Sequence, residues 1–408
     1  MQYNTHTLSN GLRLIHLPVN SPVSYSGFVV NTGARDEQEK EYGMAHFIEH
    51  MLFKGTEKRR SWHILNRMEC VGGELNAYTT KEETFIYSIF PEQYFERAFE
   101  LLSDLVFHSC FPEREAKKEL EVILDEIQSY EDNPSELIYD DFENLLFEGH
   151  SMGHHILGTP AILEQFTVPQ SLAFMHRHYR PERMVFFSVG NIDFKKIVRF
   201  AEKYADEIGQ YSAFVPERQA PELQHTCQHC RLEKGTSQAH VMMGRQSYSI
   251  HDDKRLGLYL LNNLLGGPGM NSRLNISLRE KHGLVYQVDS SLTSYSDTGV
   301  FSIYFGSEKC QIERCIHLIS KELKKLCENK LTTSQLDAAK KQLKGQLSVS
   351  GENKESIFLN MGKSFLHYNR YDGLPETYAD IDALTGDMLW DISNEIFDEK
   401  GISCLVFT

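Results

Sequence analysis

The sequence lacks any run of 18 or more apolar residues, although 41% of its 408 residues are hydrophobic. A membrane-spanning helix needs about 20 such residues in succession, so we expect no membrane partner. The start, MQYNTHTLSNGLRLIHLPVN, also lacks a basic segment followed by an apolar stretch and a small-residue cleavage site. That combination is the pattern of a secretory signal, and without it we expect a cytoplasmic location.

Positive charge is in short supply, because 42 Lys and Arg stand against 57 Asp and Glu and give a net charge of −15. Binding to nucleic acid needs a basic face, so we predict no nucleic-acid partner. The eight cysteines are scattered along the chain. This distribution is typical of reduced thiols and not of a disulfide framework. No low-complexity tract is present, and the composition indicates a globular protein.

A similar order of elements occurs twice along the chain. Two apolar helical patterns begin near residues 43 and 255, an offset of 212, and each is followed by a pair of strand patterns and long helices. The segments that begin at Thr167 and Thr385 correspond at an offset of 218. Recurrence over such a length indicates duplication of one α+β domain. The second copy lacks the cluster of His and Glu residues that the first copy carries in and after its apolar helix.

We therefore predict an α+β protein of two homologous domains, each a mainly antiparallel sheet covered by helices. A chain of this length is too long for one ordinary core, which agrees with two domains. The predicted N-terminal domain spans residues 1–215, and the predicted C-terminal domain spans residues 236–408. Residues 216–235 have two prolines and little periodicity and are predicted to be a connector.

The most informative segment is GMAHFIEHMLF, residues 43–53. On an α-helix, His46, Glu49 and His50 share one arc about 100° wide. The remaining residues of the segment are almost all apolar, so the helix is predicted to be buried. Two imidazoles and a carboxylate in a buried helix are costly unless they are paired or bind a metal ion.

Zinc suits this arrangement, because imidazoles four residues apart on a helix reach one metal ion. We predict that His46 and His50 are zinc ligands and that Glu49 is the base that takes a proton from water at the metal. The alternative is a chance spacing among 18 histidines, which the apolar surroundings disfavour. Catalytic zinc sites use three protein ligands, so a third ligand must come from elsewhere.

A candidate third ligand lies in PEREAKKELEVILDEIQSYED, a strongly helical segment. Glu119 and Glu126 share one face of this helix with Val122, Ile123 and Ile127. Unpaired carboxylates do not belong on an inward apolar face, so either glutamate is a candidate ligand. The periodicity does not decide between them. The alternative is that both are solvated side chains of an acidic helix.

The HFIEH string, followed after 76 residues by the glutamate of ELEVILDEI, resembles the insulinase/pitrilysin family of inverted-motif zinc peptidases. In that family the third ligand is a glutamate at this distance, which implies Glu126. A glutamate seven residues earlier supports catalysis, which implies Glu119. The likeness continues through VGGELNAYTTKEETFIYSI, where the family pairs an edge strand with the peptide substrate. It implies substrate contacts at Asn76, Ala77, Tyr78 and Thr79.

In the second half, LREKHGLVY resembles the family's Arg and Tyr seven residues apart. The resemblance implies that Arg279 and Tyr286 contact the substrate and stabilise the reaction intermediate. Without it, both residues would be interpreted as structural. The likeness spans the chain from LSNGLRLI to the final strand. It implies one zinc ion per chain and two domains that form half of a clamshell chamber, which a homodimer, or a heterodimer with a homologous subunit, would enclose.

The function that the resemblance implies is zinc-dependent hydrolysis of oligopeptides or small unfolded proteins inside that chamber. The alternative is a non-catalytic or partner-dependent subunit, as in the family's respiratory-complex members. The intact HFIEH string and Glu126 favour the enzyme. Two further signals are interpreted as incidental: Cys227 and Cys230 lack a second ligand pair at a usable spacing, and His154–His155 is predicted to be a surface pair.

Overall fold

The computed structural model describes residues 2–205, 216–223 and 227–408. These residues form two compact units. The described residues of the first unit fall within Met1–Ile127, His154–Arg218 and Asn353–Asp372. Those of the second unit fall within Gln128–Gly153, Gln219–Glu352 and Gly373–Thr408. Each unit combines one sheet with several helices, and the predicted α+β class is confirmed.

Eleven strands are present among the described residues. They are β1 (Asn4–Thr7), β2 (Arg13–Pro18), β3 (Val23–Val30), β4 (Glu74–Thr79), β5 (Thr84–Pro91), β6 (Met184–Gly190), β7 (His229–Leu232), β8 (Ala239–Ser247), β9 (Val285–Ser294), β10 (Gly299–Ser307) and β11 (Ser403–Phe407). Strand β7 lies in the segment predicted to be a connector. Residues 224–226 of that segment, and residues 206–215 before it, lie outside the described residues.

Fourteen α-helices are present in the same part of the chain. They are α1 (Met44–Leu52), α2 (Ser61–Glu69), α3 (Phe95–His108), α4 (Glu113–Glu131), α5 (Pro134–Leu146), α6 (Pro160–Leu163), α7 (Val168–His178), α8 (Phe194–Tyr204), α9 (Arg255–Gly266), α10 (Ile312–Glu328), α11 (Thr333–Ser350), α12 (Lys354–Tyr368), α13 (Leu374–Ala383) and α14 (Gly386–Ile396). None of these described helices combines the length and apolar character needed to cross a bilayer.

The two sheets share one topology. The first has the strand order β1-β2-β6-β3-β5-β4, and the second has the order β7-β11-β8-β10-β9. Each contains one parallel pair, β2 with β6 and β7 with β11, and antiparallel neighbours elsewhere. Apart from β1, the strands correspond one to one in order and direction. This correspondence confirms the predicted pair of homologous domains.

In the first unit both faces of the sheet are buried. Because successive strand residues point to opposite faces, Phe28 and Phe186 enter the core beneath α1 and α3, while Phe187 enters a second core. There the ring of Phe187 stacks on Phe358 of α12 at 4.3 Å between centroids. A side chain at Gly362, one turn later, would collide with the Phe187 ring. Helix α12 therefore lies directly on the sheet.

The second unit repeats this layering. Val241 and Phe301 pack with the helices on one face of its sheet, and Met242 packs on the other face with Leu137 and Phe142 of α5. Each sheet is thus covered on its second face by a helix from the other half of the sequence. Residues 353–372 pack within the first unit and residues 128–153 within the second, so the packing units differ from the predicted boundaries in these two segments.

Candidate metal centre

Helix α1 begins at a turn that only glycine accommodates easily. Gly43 has a φ of 97°, and a side chain there would meet the carbonyl oxygen of Leu157 at 2.7 Å. The first turn of the helix is then capped by a buried carboxylate. Glu37 accepts hydrogen bonds from the Gly43 N–H at 2.8 Å and the Ala45 N–H at 2.7 Å.

The three predicted ligands lie together in the first unit. His46 and His50 project from α1, and Glu126 projects from α4. The Nε2 atom of His46 is 3.8 Å from Oε1 of Glu126, and the Nε2 atom of His50 is 3.6 Å from Oε2 of the same carboxylate. One ligand atom from each of the three residues falls within 4.8 Å of the others. These residues could hold a divalent metal ion.

The side chains in and around this cluster differ in how deeply they are buried. Burial, together with nearby His50, lowers the pKa of His46 to about 3, so its imidazole is neutral near neutral pH and keeps a lone pair for a metal. The Glu126 side chain is 44% exposed, and Val122, which was predicted to point inward, is 47% exposed. The prediction for Val122 was wrong, because the buried stripe of α4 runs through Glu119, Ile123 and Ile127, and Val122 lies beside that stripe on the exposed side.

Glu49 lies on the same arc of α1. Its Oε2 atom is buried and has no hydrogen-bond partner among the described residues. Burial raises the pKa of Glu49, while Thr79 and His50 act in the opposite direction. Thr79 is the last residue of β4, and α1 packs against β4. This carboxylate oxygen thus lies beside the cluster of candidate ligands and near the end of a strand.

Strand β4 carries the four residues predicted to contact substrate, and it forms an edge of the first sheet. It pairs with β5 through Asn76 opposite Tyr87, Ala77 opposite Ile86, and so on to Thr79 opposite Thr84. Asn76 is exposed, whereas Ala77, Tyr78 and Thr79 are half-buried. A strand paired on one side only offers its other backbone groups to an extended peptide.

Glu119 lies two turns before Glu126 on α4 but contacts a different part of His50. Its Oε2 atom is 3.2 Å from Nδ1 of His50, and its Oε1 atom is 2.7 Å from Nζ of Lys54. The two glutamates that the periodicity left equivalent are therefore distinct in the structure. Glu126 faces the Nε2 atoms of both histidines, whereas Glu119 faces the opposite edge of one imidazole.

Arg279 and Tyr286 belong to the second unit. Arg279 lies on a π-helix, Asn275–Glu280, and its guanidinium carbon is 5.6 Å from the centre of the Tyr286 ring. π-Helices are rare and often occur at functional sites. Tyr286 is 85% exposed, which is unusual for a large aromatic side chain. The structure thus brings this pair together and presents it to solvent.

The prediction for His154 was wrong, because this residue is buried. Its Nε2 atom is 3.0 Å from Oε2 of Glu37, and its ring stacks on Tyr42 at 3.8 Å. Lys81, also buried, donates to the His154 carbonyl oxygen. Sequence reasoning missed Glu37 and Lys81 entirely, since neither falls in a periodic or motif-like pattern. The doubled histidine was the available signal, but it gave no indication of burial.

A second group of possible ligands, Glu82, Glu83 and His367, also occurs in the described residues. Protein cations already neutralise its carboxylates. Glu82 pairs with Arg35 at 2.6 Å, with both side chains fully buried. Burial alone would raise the pKa of Glu83, but hydrogen bonding to His367 and the charge of Lys363 outweigh it and lower the pKa to about 2. This cluster is an ion-pair network. Among the described residues, neither Cys227 nor Cys230 belongs to a group of possible metal ligands.

Fold and site together define a duplicated α+β protein in which, among the described residues, a cluster of candidate metal ligands lies in the first unit. Residues 15–160 match the family model described as Insulinase (Peptidase family M16), and residues 165–343 match the model described as Peptidase M16 inactive domain. These ranges cover well over half of the chain. The protein therefore belongs to the M16 peptidase family, as the resemblance predicted.

Several relatives match over almost the whole chain. The uncharacterized zinc protease YmxG of Bacillus subtilis is 32% identical over 98% of this chain and 97% of its own length. The mitochondrial-processing peptidase subunit beta of Bos taurus is 28% identical over 96% of this chain and 81% of its own length. The crystal structure of a protease from Helicobacter pylori covers 100% of this chain and 99% of its own, with a TM-score of 0.92 and 21% identity. That likeness shows the shared fold.

Proposed function

We propose that this protein is a zinc-dependent endopeptidase that hydrolyses oligopeptides or small unfolded proteins and binds one zinc ion per chain. The observation that most supports the proposal is the composition of α1. One short helix carries two candidate ligands and a buried carboxylate oxygen without a hydrogen-bond partner among the residues that the structure describes, and it packs against an edge strand. The relatives named zinc proteases support the same conclusion.

The donor set fits zinc. Two imidazoles and one carboxylate are ligands that catalytic zinc sites use, with the remaining position left for water. Ligands at about 2.0–2.1 Å from a tetrahedral zinc ion lie about 3.3–3.4 Å from each other. The observed separations of 3.8 and 3.6 Å from the histidine nitrogens to Glu126 are therefore close to what zinc requires. The lowered pKa of His46 also favours the neutral, metal-binding form of its ring.

When bound, zinc would supply Lewis acidity, which brings the pKa of water at the metal to about 7. Glu49 would accept the proton of that water at Oε2 and deliver it to the nitrogen of the departing amine. Its burial supports this role, because a carboxylate with a raised pKa holds a proton more readily near neutral pH. Glu119 would support the reaction through His50, which it contacts at Nδ1.

The substrate would bind as an added strand along β4. Main-chain hydrogen bonds to Asn76, Ala77, Tyr78 and Thr79 would hold it extended and would read little of its side-chain identity. Arg279 and Tyr286 would contact the substrate and stabilise the oxygen that becomes negative during the reaction, as the family resemblance implies. Selection would then rest on peptide length and flexibility, as expected for an enclosed chamber.

The protein would act as a homodimer or beside a homologous subunit. The name of the bovine relative, a subunit beta, keeps the partner-dependent alternative open to test. Gel filtration of the purified chain separates the two arrangements. A chain that is active alone as a dimer supports the homodimer, and a chain that is active only after a homologous subunit is added supports the alternative.

Zinc content and peptide cleavage measured on the same variants test the proposal. We expect about one zinc ion per wild-type chain and cleavage of unstructured peptides. His50→Ala should lose the metal, whereas Glu49→Gln should keep it and lose roughly 100- to 10,000-fold in kcat, because Gln cannot accept the proton. His63→Ala, which changes an exposed histidine of α2, should resemble wild type in both measurements. A zinc-free wild-type protein that cleaves peptides would refute the proposal.

A further inference from the structure

Two glutamates on α4 have the same chemistry but contact different atoms near the candidate metal site. Glu126 lies within 3.8 Å of the Nε2 atoms of both His46 and His50. Glu119, which is closer to the protein interior and only 8% exposed, meets His50 at Nδ1. A carboxylate beside a divalent ion is an effective ligand wherever it is free to reach it. Something must therefore hold Glu119 in place.

Lys54 occupies the position that does this. It follows α1 directly, and its backbone N–H donates to the carbonyl oxygen of Met51 at 3.0 Å. Its Nζ atom is 2.7 Å from Oε1 of Glu119. The other oxygen of that carboxylate is 3.2 Å from Nδ1 of His50. Both oxygens of Glu119 are therefore engaged, and rotation of the carboxylate would break at least one of the two contacts.

These contacts also determine which nitrogen of His50 is available. When Nδ1 carries the proton and donates it to Glu119, the lone pair of Nε2 points toward the side where Glu126 lies. Hydrogen bonds of this kind fix the tautomer and the ring orientation of metal-binding histidines. The geometry points to a role for Lys54 that goes beyond a surface ion pair, since its side chain is only 23% exposed.

We propose that Lys54 is a positioning residue that holds Glu119 against Nδ1 of His50 and keeps Glu119 out of the ligand set formed by His46, His50 and Glu126. This inference rests on the proposed zinc function for the identity of the metal. It attributes the different contacts of the two glutamates to Lys54, whose Nζ atom pairs with Glu119.

Zinc affinity, measured by competition with a chromophoric chelator, provides the first test. Outer partners of metal-binding histidines typically contribute 10- to 100-fold to affinity, so we expect Lys54→Met to weaken zinc binding by about tenfold. Lys54→Gln, which keeps a donor for Oε1 of Glu119 without the charge, should have a zinc affinity between that of Lys54→Met and that of wild type. Lys118→Met is the matched control, because Lys118 lies on α4, pairs with Glu115 and is 54% exposed.

A double-mutant cycle separates positioning from simple stabilisation. If Lys54 acts through Glu119, Lys54→Met should change zinc affinity by less than about twofold in a Glu119→Gln background. If Lys54 only stabilises the fold, Lys54→Met should weaken zinc binding in the Glu119→Gln background as well. The loss of zinc affinity should then follow the loss in thermal midpoint of each variant. Independent, additive effects on zinc affinity would overturn the inference.

A spectroscopic measurement on the zinc-free protein makes the test independent of the proposed function. With selectively ¹⁵N-labelled histidine, the shifts of His50 should show a protonated Nδ1 and an unprotonated Nε2 in wild type and in Lys118→Met. Lys54→Met should show a mixture of the two tautomers. A wild-type chain that binds no zinc would refute the zinc peptidase but would leave this measurement valid. An unchanged His50 tautomer in Lys54→Met would refute the role of Lys54.

Discussion

Replacing Glu37 with Gln tests whether the buried carboxyl group beneath α1 holds the helix with the candidate metal ligands in place. Glu37 accepts the N–H groups of Gly43 and Ala45, the latter adjacent to His46. A Gln side chain has one acceptor oxygen and one NH₂ group. It can satisfy one of these N–H donors but must turn its own donors toward the other. The substitution therefore leaves one backbone N–H at the start of α1 without an acceptor.

The magnitude follows from that single lost bond. A buried donor without a partner costs about 1–3 kcal/mol, which corresponds to a factor of about 5–150 in an opening equilibrium. The result does not depend on whether the carboxyl group is ionised. Burial raises the pKa of Glu37 well above its usual range, but a protonated oxygen that donates to His154 still accepts from Gly43, and an amide nitrogen does not.

Amide hydrogen exchange at residues 43–46 is the appropriate assay, because a chain with two compact units need not unfold in one step. We expect exchange in the first turn of α1 to accelerate by about 5- to 150-fold, with weaker zinc binding as a consequence. Glu39→Gln is the control, since it makes the same chemical change at an exposed position two residues away. Unchanged exchange in Glu37→Gln would show that the cap does not hold the helix.

Two other predictions concern acid stability and subunit pairing. Burial lowers the pKa of His16 to about 4 and that of His178 to about 3. As the pH falls, both histidines therefore become charged in the unfolded chain, where their pKa is near 6.5, before they become charged in the folded chain. These two histidines should therefore not reduce the stability of the first unit above about pH 6.5, and its stability should decline as the pH falls toward 4. The urea midpoint of His16→Gln should decline less over this range than that of wild type. If Arg279 and Tyr286 serve the partner's site, mixing Glu49→Gln chains with Tyr286→Phe chains should restore about one quarter of the wild-type activity, because random exchange gives half mixed dimers with one intact site of two. No recovery despite confirmed exchange would contradict pairing in trans.

The local sequence pattern was sufficient to predict which residues of α1 lie together at the candidate site. His46, Glu49 and His50 are four residues or fewer apart, and helix geometry alone places them on one arc. The face of α4 that carries Glu119 and Glu126 was also predictable, but the periodicity left the different contacts of the two glutamates open. Glu119 meets Nδ1 of His50 and pairs with Lys54, whereas Glu126 faces Nε2 of His50, and these contacts follow from how the side chains of α1 and α4 meet.

The fold was predictable where hydrophobic periodicity is strong. Strand β6, MVFFSVG, is buried along its whole length, and α9 coincides with the predicted apolar helix. Helices α5 and α12 could not be placed from periodicity, because each covers a sheet formed by strands from the other half of the sequence. Long-range partners of this kind leave no local signal. His154 was missed for the same reason, since its burial depends on Glu37, which is 117 residues away.

The two units differ in the side chains that lie between the helix and the edge strand, α1 and β4 in the first unit and α9 and β9 in the second. Asn262 provides a test of this difference. At the offset of 212 that relates α1 to α9, His46, Glu49 and His50 correspond to Leu258, Leu261 and Asn262. Asn262 donates from Nδ2 to the carbonyl oxygen of Ser290 on edge strand β9 at 3.1 Å, and the Ser290 hydroxyl donates back to the Asn262 carbonyl oxygen at 3.2 Å. In the first unit, a buried Glu49 oxygen that has no hydrogen-bond partner in the described part of the chain lies near the corresponding strand.

The second unit thus has a hydrogen-bonded helix–strand contact at the position where the first carries the candidate ligand His50. We expect Asn262→Asp to destabilise the second unit by more than about 1–3 kcal/mol, because it removes a buried donor and places a negative oxygen against a carbonyl oxygen. Asn262→Leu should cost less, since it also removes the buried Oδ1 atom, which has no hydrogen-bond partner among the described residues. Asn329→Asp, at an exposed asparagine, is the control for the change in charge. The unfolding midpoints of the variants give the order of their stabilities. Zinc affinity should not change in Asn262→Asp or Asn262→Leu where the variant folds. Equal stability of Asn262→Asp and wild type would show that the contact does not hold α9 against β9.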